Sequence, residues 1–133
     1  MEEKTIEILG TSYNIKVLNE TDKDYQDFID LGADALHNGI LREIRLKEYD
    51  LYNEPNIEYQ LLCVRHEIIH AYLYQSGLDS SANGVTCWAR NEEMIDYFAL
   101  QLYKINQTIK IVEEWLWNLY HEKEDEKELN IKL

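Results

Sequence analysis

An α+β fold is predicted by the way two periodicities divide the chain. Apolar residues alternate with period two in two stretches of the N-terminal third, parted by one short helical pattern, and helical spacing takes over from Ile57. A chain of 133 residues with 45% hydrophobic content is long enough to bury one core and short for two. The expectation is one domain over residues 1–133: a small, twisted, mostly antiparallel sheet packed on a long helix, with two further helices behind it and a charged tail at about 122–133.

The strands come first. In KTIEILGTSYNIKVL, the segments IEIL and YNIKVL flank a turn at Gly10-Thr11, with Ile6, Ile8, Ile15 and Val17 on period-two positions. TDKDYQDFIDLGA then opens on Thr21 or Asp22 as an N-cap, keeps helical spacing through Tyr25, Phe28, Ile29 and Leu31, and stops near Gly32. Asn38-Gly39 is a strong hairpin signal. After it, Ile40, Arg42, Ile44, Leu46 and Glu48 share one strand face, while Leu41, Glu43, Arg45 and Lys47 share the other. That half-polar pattern predicts an edge strand over 40–48, able to accept an extended peptide.

The helices follow. Pro55 punctuates a loop, Asn56 is a suitable N-cap, and one long helix is expected from Ile57 to about Gln75, stopped at Ser76-Gly77. DSSANGVTC reads as a polar loop. A second helix is expected from Ala89 or Arg90 to about Tyr103, and a third after Asn106 carrying IKIVEEWLWNLYHEK; the final EDEKELNIKL is expected to fray.

Composition narrows the function. The net charge of −13, from 26 acidic and 13 basic residues, repels phosphate backbones, so nucleic acid is not an expected partner. Two cysteines are too few for a disulfide scaffold, and the N-terminus MEEKTIEILG has no basic, apolar leader pattern. No stretch approaches a membrane span, and a cytoplasmic location is expected.

The chemistry-bearing stretch is RHEIIHAYLYQSGL at 65–78. On a helix, residues four apart end within roughly 40° of one another, so His66 and His70 face the same way and can reach one metal ion. Glu67, beside the pair, can reach a water on that metal without ligating it. A hydrolytic zinc needs a third protein ligand and an open position. NEEMID at 91–96 offers Glu92 for the metal, with Asp96 four residues on to orient a ligand histidine by accepting its other ring proton; Glu93 is then a solvated charge.

HEIIH followed by NEEMID resembles the HExxH…NExxxD signature of the gluzincin metallopeptidases. The size and element order look most like the single-domain minigluzincins and the ImmA/IrrE-type peptidases of phages and mobile elements. The IDYFA run at 95–99 is similar to the pattern that follows the glutamate ligand in the latter. The resemblance implies a zincin-like fold and one zinc per chain on His66, His70 and Glu92. It makes Glu67 the general base and Asp96 the support of a ligand histidine, in a hydrolase acting on a peptide or protein. The separation of His70 and Glu92 is shorter than in thermolysin, and no histidine or tyrosine is assigned to steady the tetrahedral intermediate. By analogy with latent minigluzincins, ELNIKL at 128–133 is expected to occupy the cleft. The alternative is a zinc-stabilised, non-catalytic module that binds another protein, such as a phage-encoded regulator.

Plainer roles are expected elsewhere. Cys63 reads as a small buried residue on the inner helix face, and Cys87 with Trp88 as packing near the start of the second helix. His37 and His121 read as surface or turn residues, and Trp115, Leu116, Trp117 and Leu119 as core in preference to a docking surface.

Overall fold

The computed structural model describes residues 1–50, 56–78 and 92–132, and within the last segment not the side chains of Glu92, Ile95, Asp96, Ala99 and Lys132. The architecture is α+β: a four-stranded mixed sheet carries two long helices on one face.

Strands β1 (Glu2–Ile8) and β2 (Thr11–Leu18) form the expected antiparallel hairpin, pairing Ile6 with Tyr13 and Ile8 with Thr11. Leu9 and Gly10 make the turn, both at positive φ (51° and 81°), which suits a two-residue hairpin loop. A 3₁₀ turn at Lys23–Tyr25 leads into the short helix α1 (Gln26–Leu31), which ends as expected at Gly32, φ 62°.

Strands β3 (Ala35–Asn38) and β4 (Glu43–Lys47) pair antiparallel around the Asn38-Gly39 corner, and β4 adds parallel to β2. The strand order is β1-β2-β4-β3, so β4 is an inner strand and, among the described residues, β3 forms that edge of the sheet. This corrects the expectation of an edge at 40–48; the strand itself begins only at Glu43. The polar residues of β4 mark the outward face of the sheet rather than its rim. Lys16 reaches Glu43 at 2.7 Å, Arg45 reaches Asp27 at 2.9 Å, and Lys47 reaches Asp34 at 3.0 Å.

The inward face carries Ile6, Ile8, Tyr13, Ile15, Val17, Ile44 and Leu46, which pack against Leu61, Val64, Ile68, Ala71 and Tyr72 of α2 (Ile57–Gln75). The helix opens on Asn56, whose Oδ1 accepts the Tyr59 backbone N–H at 2.9 Å. Burying a Leu, Ile or Val side chain contributes roughly 1.5–3 kcal/mol, so this single layer accounts for most of what holds α2 to the sheet.

Glu92–Lys132 form one helix, α3, of 41 residues, where two helices separated near Asn106 were expected. No glycine or proline interrupts this span, and an asparagine inside a helix costs only about 0.5 kcal/mol relative to alanine. Ile105, Thr108, Val112 and Leu116 keep a buried stripe running through the supposed break. Leu116 is core, Trp115 and Leu119 are partly buried against it, and Trp117 stands more exposed, ring-stacked on His121.

Polar side-chain contacts help tie α3 to α2. The Tyr72 hydroxyl meets Thr108 Oγ1 at 2.6 Å, Ser76 Oγ shares a hydrogen bond with the Tyr97 hydroxyl at 2.9 Å, and Arg65 pairs with Glu113. The C-terminal residues do not fray into a cleft-filling strand. Residues 128–132 continue the helix with Leu129 and Ile131 exposed. Among the described residues, no helix is long and apolar enough to cross a membrane.

Candidate functional site

The central turns of α2 present HEIIH as its spacing predicts. Val64, Ile68 and Ala71 are fully buried against the sheet, which rotates His66 and His70 outward to an exposed face. Their Nε2 atoms lie 3.0 Å apart and the ring centroids 4.7 Å apart. Two imidazoles on a tetrahedral zinc, with Zn–N of about 2.0–2.1 Å, have their nitrogens about 3.3 Å apart. The pair thus comes close to the separation such an ion requires.

Glu67 sits beside them with 8% of its surface exposed. Burial pushes its carboxyl above the usual range, and the opposing influences are the neighbouring His70 and His66. A raised carboxyl is a better proton acceptor near neutral pH than a solvated one, which is the property a general base needs.

Glu92 and Asp96 stand one turn apart at the start of α3, and their side chains lie outside the described residues. Glu93, the neighbour, is exposed, in keeping with a solvated charge. Among the described residues, no group of three or more His, Cys, Asp or Glu side chains comes together to hold a metal. Cys87 and Trp88 also lie outside the described residues.

Two features near the histidines were not legible as site residues. His37, expected on a surface or turn, belongs to β3 and is half-buried. Its register partner is Ile44, itself paired with Ile15, which puts His37 on the inward face above α2. Its ring stacks between Tyr13 (centroids 6.0 Å apart) and His70 (6.3 Å), and Tyr74 meets it edge-on at 5.6 Å. A column of rings thus runs from the sheet to the histidine pair. Its far end is fixed by Tyr13, whose hydroxyl donates to Gln75 Oε1 at 3.0 Å while Gln75 Nε2 donates to Thr11 at 2.9 Å. The only local signal was the alternation of Ala35 and His37 ahead of Asn38-Gly39.

The second feature is a cavity of about 240 Å³ between β3 and α2, opening beside His66 and Glu67. Cys63 lies in its wall, half-buried rather than in the core, with its thiol pushed up by burial. Tyr59 donates to Asp34 Oδ2 at 2.8 Å, a bond that pushes its hydroxyl up to about 12. Asp34 in turn is held below the usual carboxylate range by its hydrogen bonds from Lys47 and Tyr59. A roomier hollow, about 500 Å³, lies beside the β1–β2 turn and α3 and includes neither histidine.

Comparison with protein-family models, with curated proteins and with solved structures gives no match to this chain.

Proposed function

We propose that the chain is a zinc-dependent peptide hydrolase whose metal is held by His66, His70 and Glu92. The observation that carries the proposal is the approach of the two imidazole nitrogens to 3.0 Å on an exposed helix face beside a buried Glu67. A zinc ion held there would supply an acidified water and a positive charge to polarise a scissile carbonyl. Glu67 takes up a proton on the carboxylate and returns it to the leaving nitrogen. Asp96, one turn after Glu92, is the proposed acceptor for the second ring proton of a ligand histidine. The gluzincin resemblance and the zincin-like arrangement belong to this proposal, as does a cytoplasmic setting.

The sheet order redirects the substrate. With β4 enclosed by β2 and β3, an extended peptide has β3 as its partner on that side, and β3 lies against the histidine-bearing helix, as β4 does. Main-chain pairing along Ala35–Asn38 would lay a peptide across the face that displays His66 and His70. A net charge of −13 makes nucleic acid an unsuitable alternative.

The test is zinc stoichiometry by elemental analysis on the wild type, Glu92→Ala and Glu93→Ala. One zinc per chain, lost with Glu92→Ala and kept with Glu93→Ala, is expected, and a wild type that takes up no zinc would falsify the proposal. Peptide hydrolysis that disappears in Glu67→Gln while zinc is retained separates a peptidase from a zinc-stabilised binding module, whose affinity for its partner would survive that substitution.

A further inference from the structure

The cavity between β3 and α2 opens at the two residues central to the proposed chemistry, His66 and Glu67. Its remaining lining is Asp34, Ala35, Tyr59, Leu62 and Cys63. Resting on the peptidase reading, we propose that this cavity receives a basic side chain, lysine or arginine, of the peptide being bound, and so sets which sequences the site accepts.

The walls and the far end suit different parts of such a side chain. Leu62 is 55% exposed and Tyr59 37% exposed, so both offer apolar surface for a methylene stem to cover. Asp34 keeps 40% of its side chain accessible even though Lys47 is bonded to Oδ1 and Tyr59 to Oδ2. An ionised carboxylate has about four lone-pair sites, so two remain for an incoming ammonium or guanidinium. The existing bonds fix the carboxylate in place, which reduces the ordering cost of binding a cation there.

The same lining discriminates against other classes. Among the described residues the lining holds no lysine or arginine, and the nearest cation, Lys47, is already engaged on Asp34 Oδ1, so an acidic side chain would meet Asp34 and Glu67 with no lining cation to pair with. An apolar side chain would cover Asp34 without replacing the water it displaces, which leaves a polar group poorly satisfied. The charge of −13 on the whole chain adds a field that draws cationic peptides in.

Cys63 gives a readout that does not depend on turnover, because its thiol lines the cavity. Zinc-treated full-length protein is alkylated with iodoacetamide in the presence of short capped peptides identical except for one lysine, leucine or glutamate. Labelling at Cys63 is followed by mass spectrometry, and cleavage of the same peptides is measured alongside. The lysine peptide should protect Cys63 and, where cleavage occurs, be preferred over leucine by about tenfold, the value of one charge-assisted hydrogen bond. Asp34→Asn should abolish that preference. Tyr59→Phe, which removes one of the bonds that fix the carboxylate, should weaken the preference without abolishing it, and thermal melts of both variants control for folding.

Protection by lysine without cleavage of any peptide would uphold the basic pocket and overturn the peptidase reading. Cleavage that ignores Asp34 would do the reverse. Equal protection by lysine and leucine, or none by any peptide, would overturn the pocket.

Discussion

The ring column from the sheet to the histidine pair makes a quantitative claim about His37. Replacing it with alanine removes three ring contacts, at 6.0 Å to Tyr13, 6.3 Å to His70 and 5.6 Å to Tyr74. Aromatic pairs contribute about 0.5–1.5 kcal/mol each, and contacts this long fall near the lower bound, so the loss of stability should be about 1.5–2 kcal/mol. Only the His70 contact bears on the metal. Its share, about 0.5 kcal/mol, corresponds to a two- to threefold loss of zinc affinity. Urea denaturation gives the first number, and competition against a zinc chromophore gives the second. His37→Phe, which keeps a ring in the column, should recover most of both. A hundredfold loss of zinc affinity in His37→Ala would refute this division, since it would mean that the imidazole of β3 touches the ion itself. A stability change below about 0.5 kcal/mol would refute the column as a brace.

Other perturbations test the frame around the site. Asn56→Ala removes the acceptor for the Tyr59 N–H at the start of α2 and should cost about 1 kcal/mol in urea, whereas Asn56→Ser should cost little. An added methyl at Gly39 would overlap the Tyr74 ring. Because Tyr74 is 37% exposed it can swing aside, so Gly39→Ala should cost about 1 kcal/mol and weaken the edge contact on His37, with a mobile Tyr74 ring signal as the check. At Glu43, burial raises the carboxyl, but hydrogen bonds and charges from Lys16 and Arg45 outweigh it and leave the group below its ordinary value of 4.5. A depressed folded pKa stabilises above the unfolded value and ceases to do so as pH falls through the folded one. Glu43→Gln should therefore lower stability at neutral pH and flatten its decline in acid; an unchanged slope of thermal midpoint against pH below 4.5 would contradict the ion-pair assignment.

What was legible from the sequence was whatever local spacing determines. The β1–β2 hairpin, the stop at Gly32, the Asn56 cap and the outward direction of His66 and His70 all follow from periodicity and capping chemistry within a few residues. The position of β4 did not follow, because alternation assigns the faces of a strand and says nothing about its neighbours. Glu43, Arg45 and Lys47 gave the same pattern that an edge would give, and their ion pairs on the outer face of the sheet are long-range. His37 was illegible for the same reason: it meets His70 through sheet topology, across 33 positions of the sequence. The continuity of α3 is not legible locally, because Asn106 resembles a break by itself, whereas buried Ile105, Thr108 and Val112 hold the helix through it.

The burial pattern of HEIIH is itself an argument about purpose. Along α2 the imidazoles, which tolerate burial when neutral, stand exposed, while the carboxylate between them is 8% exposed and flanked by Val64, Ile68 and Ala71. A helix selected only for packing would reverse that order, since a partly desolvated carboxylate opposes folding unless its charge is met. The opposing charges at Glu67 come from His66 and His70, and these are full charges only when the imidazoles are protonated or replaced in that role by a cation they bind. In the metal-free protein near pH 8, Glu67→Gln should consequently raise stability by up to about 1 kcal/mol, because it removes a buried charge while preserving shape. With zinc added, the wild type should regain most of that difference and the variant should gain less. Parallel thermal melts with and without zinc would measure both effects. If the variant is instead the less stable of the two without metal, the carboxylate is satisfied within the fold and its burial is structural, which would remove the physical basis for assigning it the proton-transfer role.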